Sequence, residues 1–214
     1  QFIREQIAGD LFEARDDKER AELLIATGFL AIGPKSHIEK NPLQFEMDVV
    51  DEQIDTVSQA FLGLTAACAR CHDHKYDPVS QRDYYALAGI FRSTDTKFGT
   101  IKLIQNNNPG TLVPLPAGAK QPNALQPLTP RERSRLEGSI AQKSARLAEL
   151  TKKREFNSEF VQTRLRLATD KAHLDAYDAD GTPKQFVTCV LERDQPRDSA
   201  LLIRGEVQKP GDMV

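Results

Sequence analysis

The chain has 214 residues, with 29 Lys and Arg against 31 Asp and Glu for a formal charge of −2, 39% hydrophobic residues and no Trp. That charge balance gives no electrostatic footprint for a nucleic-acid partner. No stretch approaches the roughly 18 consecutive apolar residues of a membrane span, while the length is ample for a buried core.

In chain order, Ile3, Ile7 and Leu11 mark a first apolar helical face. A second helix is expected from about Lys18 to Ile32, where Gly33-Pro34 stops it. Next comes a helix carrying cysteines. Ile54, Val57, Phe61, Leu64, Cys68 and Cys71 recur at steps of 3, 4, 3, 4 and 3, one face of an α-helix, with Asp48 as its N-cap and Asp51 in its first turn. Ser80 with Asp83 forms an acidic capping box for a helix over residues 81–91, whose inward face is Tyr84, Leu87 and Phe91. Residues 1–92 are thus a helical portion. Residues 93–129, with Asn106-Asn107-Asn108-Pro109-Gly110 and prolines at 109, 114, 116, 122 and 127, read as a linker or excursion with no regular element.

Thr129-Pro130-Arg131-Glu132 then supplies an N-cap, a proline at the first helical position and a capping-box Glu. Over residues 130–178, Leu136, Ile140, Leu147 and Leu150 make one stripe and Val161, Leu165, Ala168 and Ala172 another. One continuous helix to Tyr177 would be about 70 Å long, so a helical hairpin turning near Asn157-Ser158 is expected. Residues 184–214 turn to β. Residues 186–191 and 200–203 read as two short strands joined through a turn at 194–198, with Cys189 in a structural position. The fold class is mainly α: a motif-bearing helical portion of c-type-haem kind, a long helical hairpin insertion and a small C-terminal β element.

The chemistry concentrates in Cys68-Ala69-Arg70-Cys71-His72. Two thiols and an imidazole at this spacing suit covalent haem c attachment, the thiols adding to the vinyl groups and His72 binding the iron. Spacing alone leaves other readings open. Zinc or another divalent metal would find Cys68, Cys71, His72 and His74 within seven residues, with His72, His74 and Asp77 as a haem-free set. A disulfide or plain core packing would also place two cysteines here. For haem, the distal-ligand candidates are His37, in the loop after Pro34, and Met47, whereas His173 reads as an exposed helix residue and Met213 sits at the chain's end. His74 and Lys75 are candidate propionate contacts, and Asp77 before Pro78 is a candidate brace for the loop. No residue is singled out as catalytic.

Beyond the cysteines the run continues as Asp73-His74-Lys75-Tyr76-Asp77-Pro78 and then Tyr84-Tyr85. The whole of residues 61–91 resembles planctomycete-type cytochrome-associated proteins. Weaker similarity extends to residues 2–10, 26–30, 202–207 and Pro210-Gly211, and Cys189 has no counterpart in the pattern. The resemblance implies a cytochrome c-like domain of unknown activity in a large exported protein, followed by a second domain of unknown function. It supports Cys68, Cys71 and His72 as the haem triad, and treats residues 74–78 as one unit without assigning their roles. The chain begins inside a helix without an initiating Met, so a piece of a longer protein is expected. The partner is then the C-terminal domain of the same polypeptide, with a redox partner the sequence does not identify. The location is the periplasm or cell envelope, where haem c is attached. Electron transfer is the leading function. The alternatives are a metal-dependent catalytic domain acting on carbohydrate or a related polymer, and a disulfide-stabilised scaffold.

Overall fold

The computed structural model describes residues 1–100, 106–116, 119 and 126–214; Pro122, one of the prolines of the expected excursion, lies outside them. Among the described residues there are six α-helices and three small antiparallel strand pairs. The first two helices are α1 (Phe2–Ala8) and α2 (Asp17–Thr27). Asp16 caps α2 by accepting from the Glu19 amide, and a 3-10 turn over Gly28–Ala31 carries the chain to the expected end of that helical stretch.

The third helix, α3, spans Pro42–Val57. It starts earlier than the sequence suggests, because Asn41 accepts from the amides of Leu43 and Gln44 and Pro42 fills the first position, so Asp48 lies mid-helix. The cysteines are not on this helix. A π-type turn over Ser58–Leu62 closes it, and Gly63 at φ 67° takes the left-handed conformation that ends helices. The apolar repeat carries on across that break, so the periodicity reads as one helix where the backbone makes two elements.

The fourth helix, α4 (Gln81–Arg92), opens on the Ser80/Asp83 capping box and buries Tyr84, Tyr85, Ala88 and Phe91. The segment after it is not wholly irregular: β1 (Thr94–Lys97) and β2 (Val113–Pro114) lie within it. Next come α5 (Pro130–Lys153), capped by Thr129 and Glu132, and α6 (Ser158–Asp175), capped by Asn157. They form the expected hairpin, with Arg154 in the left-handed region at the turn. Its inward faces differ in part from the expected stripes. Leu150 and Leu167 are buried, but Val161 and Leu165 are exposed. The inner row of α6 runs through Phe160, Thr163, Leu167, Asp170 and Leu174 instead. Asp170 is held there by Ser139 and Lys143 of α5.

The C-terminal strands are β3 (Phe186–Val187), β4 (Cys189–Glu192), β5 (Ala200–Leu202) and β6 (Pro210–Met213). The two strand regions expected at residues 186–191 and 200–203 are both present, but they do not pair with each other across the 194–198 turn. Instead β4 pairs with β1 in the register Thr94↔Glu192 to Lys97↔Cys189, β3 pairs with β2, and β5 pairs with β6. Adjacency along the chain thus does not set the pairing, and each run finds its ladder elsewhere.

The main core lies between α3, α4 and the C-terminal strands. Met47, Val50, Ile54, Ala66, Ala69, Tyr84, Tyr85 and Phe91 pack with Val190, Leu202 and Val207. Cys189 is fully buried, and burial pushes its thiol up to about 11, with Asp10 adding to the shift. That is an inert structural thiol.

Candidate cofactor-attachment site

The two motif cysteines sit on a 3-10 turn over Ala66–Arg70, with Cys71 as its C-cap. Residues three apart eclipse in such a turn. Ala66 and Ala69 therefore share the face that drops into the core, and Cys68 and Cys71 share the one that does not. Both are free thiols on the exposed surface. The alanines are small enough to let the turn lie flat on Met47 and the tyrosines. The backbone thus presents two sulfurs on one side.

Arg70 fixes that presentation. Its guanidinium reaches Asp48 at 2.9 Å and Asp51 at 3.2 Å on α3, with only 14% of the side chain exposed. Burial opposes its charge, but the Asp48 hydrogen bond and the Asp51 charge prevail and raise its pKa. The Arg70 carbonyl accepts from Gln81 Nε2 at 3.0 Å and from the Tyr85 hydroxyl at 3.0 Å. Tyr84 donates to Asp51 alongside. Burial pushes the Tyr85 phenol up to about 12 and raises Tyr84 further, so both remain neutral donors. Sequence reasoning did not single out Arg70, Gln81, Asp48 or Asp51 for this role. No local pattern announces an ion pair between residues 22 apart in the chain.

The chain's last strands reach the same turn. Gln81 Nε2 also donates to the Leu202 carbonyl at 3.1 Å. Gly205, at φ 74°, lies so close that a Cβ there would stand 2.8 Å from Cys71 Sγ. Glycine serves twice here, in a left-handed conformation and against a thiol.

The Nδ1 atoms of His72 and His74 play opposite hydrogen-bond roles. His72 Nδ1 lies 2.8 Å from the Asp73 carbonyl oxygen, which can only accept, so Nδ1 is the donor and Nε2 takes no part in that bond. His74 Nδ1 instead accepts from the amides of Asp77 at 2.8 Å and Tyr76 at 3.3 Å, which puts its proton on Nε2. Asp77 Oδ2 is 3.3 Å from His74 Nδ1. With that nitrogen already serving as an acceptor, this is a contact inside the loop and not an ion pair. His74 is thus the organiser of the 74–78 loop, its own amide donating to the Val79 carbonyl at 2.8 Å. Tyr76 is exposed with the Lys75 ammonium 4.9 Å above its ring.

The remaining candidates lie elsewhere. Met47 is sealed in the core beneath the turn, among the residues that receive Ala66 and Ala69. His37 stacks near Phe98 and Phe45, its Nδ1 3.2 Å from the Asn108 carbonyl, and lines an open cleft of about 970 Å3 beside Ala172 of α6 and Ala176, the residue that ends it. Exposed His173 packs its ring on Tyr177. Among the described residues, no group of three or more His, Cys, Asp or Glu side chains is placed to hold a metal ion. Nor is any helix among them long and apolar enough to cross a membrane.

Residues 1–96 match the model of a protein family of unknown function designated PSCyt2 (DUF1549). The match contains the whole Cys68-to-Pro78 run together with α1 to α4. No curated protein and no solved structure matches the chain.

Proposed function

We propose that Cys68 and Cys71 attach haem c covalently, that His72 is its proximal iron ligand, and that this domain passes electrons within a larger protein exported to the periplasm or cell envelope. One observation carries the reading: the hydrogen bond from His72 Nδ1 to the Asp73 carbonyl. A ligating histidine characteristically donates its other ring N–H to a carbonyl or carboxylate, which fixes the ring and raises its basicity. The two co-facial thiols support the same reading, since a planar group joined through two bonds needs both sulfurs on one side.

Haem bound there supplies a one-electron iron couple, tuned by its axial ligands and surroundings. The chain's own residues do the holding. Arg70 keeps the turn rigid through Asp48 and Asp51. His74, with its proton on Nε2, and Lys75 provide donors suited to propionates. Met47 would have to leave the core to serve as a distal ligand, and His37 to leave its cleft. A domain following in the same polypeptide is the natural first electron partner.

The test is an absorption spectrum, a pyridine haemochrome assay and an intact mass on protein exported by a host competent in c-type haem maturation. A Soret band that stays with the denatured polypeptide, with the mass of one haem added, is expected. A colourless protein without added mass overturns the proposal. Stoichiometric metal would then favour the haem-free catalytic domain, and a mass deficit of two hydrogens the disulfide scaffold.

A further inference from the structure

The face of α6 turned away from α5 is apolar and uncovered. Val161, Leu165, Ala168 and Ala172 follow one another at steps of 4, 3 and 4, the spacing of a coiled-coil seam. The inner row through Leu167 and Asp170 lies roughly half a turn round the helix from them, so α5 cannot reach this seam. Val161 is 38% and Leu165 44% exposed. A helix that packs on one neighbour needs only one apolar face. The seam then runs into a concavity, because Ala172 also lines the cleft of about 970 Å3 beside Ile38, Leu112 and Phe186. Ile38 is 70% exposed, on a loop pinned by the asparagine run. The Asn107 amide donates to the His37 carbonyl at 2.8 Å, Asn107 Nδ2 to the Ile38 carbonyl at 3.0 Å, and Asn108 Nδ2 to the Glu39 carbonyl at 2.8 Å. An exposed isoleucine on a loop so tied is pre-organised for a partner, since little freedom is lost when it is covered.

Charge selects the partner. Elsewhere on the hairpin Lys143, Arg146 and Lys153 are paired with carboxylates. Arg164 and Lys171, which edge the seam on one side, and Arg166, beyond the other, are exposed and have no ion pair among the described residues. Against these three cations stands Asp175, the one carboxylate among the described residues that line the cleft. The face is therefore net positive. A second copy of the chain would bring the same cations to the seam, where like charges repel. A lipid surface would gain little from Val161 and Leu165, because such binding scales with buried apolar area, and a flat surface leaves the cleft unfilled. A helix with carboxylates along its edges satisfies both the seam and the cations.

We infer that this face docks an acidic amphipathic helix of another protein. The apolar side of that helix lies on Val161, Leu165, Ala168 and Ala172, where the two alanines let the backbones approach closely. Its carboxylates meet Arg164 and Lys171, and a bulky apolar side chain at its end enters the cleft beside Ile38 and Phe186. The surface belongs to the hairpin and not to the cysteine turn, so it stands whether or not haem is attached.

The probe is a synthetic peptide about three heptads long, with leucine at the seam positions and glutamate at the flanking ones. It is titrated into the full chain while nitrogen–proton NMR follows the backbone amides. Saturable shifts are expected at Leu165, Ala168 and Ala172 and, across the cleft, at Ile38 and Phe186. A peptide with lysine in place of every glutamate should bind roughly tenfold more weakly, the worth of two surface ion pairs. Arg164→Gln combined with Lys171→Gln should erase that preference. Leu165→Asp should abolish binding of either peptide, and since the position is exposed, the thermal unfolding of the variant should match that of the parent chain. The inference is overturned by the absence of saturable shifts or by equal binding of the two peptides. It is also overturned if the chain alone self-associates, or pellets with phosphatidylglycerol vesicles, in a way that Leu165→Asp removes, since a second copy or a lipid surface would then be the occupant.

Discussion

Arg70 decides how the two cysteines are presented, although it lies between them and carries none of the chemistry itself. Arg70→Ala removes the cation from Asp48 and Asp51, whose side chains are 41% and 28% exposed and therefore still partly hydrated. A loss of about 1–2 kcal/mol of stability is expected, less than for a fully buried pair. Chemical denaturation measures it, and a change smaller than the error of that measurement would contradict the anchoring role. Gly205→Ala acts on the other side of the turn. It places a side chain at φ 74° and a Cβ 2.8 Å from Cys71 Sγ. We expect a cost of about 1–2 kcal/mol from backbone conformation alone. In protein matured with haem, peptide mass spectrometry should show attachment through Cys68 retained and attachment through Cys71 reduced. At this scale the sequence was legible where a cap or a small residue acts within its own turn, as at Ser80 with Asp83. It was silent where meaning comes from distant partners, as for Arg70, Gln81 and Gly205.

Among elements, the helix starts were the most readable, because a cap is written within four residues. Ser80/Asp83 and Thr129/Glu132 both form the reciprocal bonds their spacing predicts. Ser80→Ala should lower stability by about 1 kcal/mol, as should Thr129→Ala. Only the first should disturb the loop from His74 to Ser80. The motif helix misled because an apolar period survives Gly63 while the backbone does not. The inner face of α6 misled for the converse reason, since Thr163 and Asp170 are polar yet face α5. Asp170 gives the hairpin a pH response. The Lys143 hydrogen bond, then Ser139, hold its carboxyl below the usual range. The folded value is thus lower than the unfolded one of about 3.9. The stability it contributes is complete above the unfolded value and is lost as pH falls through the folded one. Amide exchange at Leu167 should accelerate below about pH 4. Asp170→Asn should remove most of that acid dependence while already being less stable at neutral pH.

At the level of the whole molecule, the block that matches a family model and the block that can fold are different objects. Residues 1–96 contain the motif and α1 to α4. Their core, however, is completed by Val190, Leu202 and Val207, and β1 at the block's edge finds its ladder on β4. Gln81 and Tyr85 also lend hydrogen bonds to the Leu202 carbonyl. Sequence composition suggested segments in a row, and it could not show that the last one closes the first, because strand pairing across nearly a hundred residues leaves no local mark. Thr27 makes the same point from α2, donating to the Val190 carbonyl and accepting from its amide. A polypeptide of residues 1–96 alone should therefore fail to fold cooperatively, showing collapsed amide dispersion and a broad, noncooperative thermal transition. The full chain should lose α3, α4 and the C-terminal strands in one step. Leu202→Ala tests the same coupling without truncation. It removes a nearly buried side chain from the shared core and should cost about 2–4 kcal/mol. The loss should be felt equally by amide exchange at Tyr84 in α4 and at Val190 in β4. Exchange altered at Val190 alone, or a stable and cooperative 1–96 fragment, would mean that the N-terminal block builds its own core and that the C-terminal strands merely lie against it.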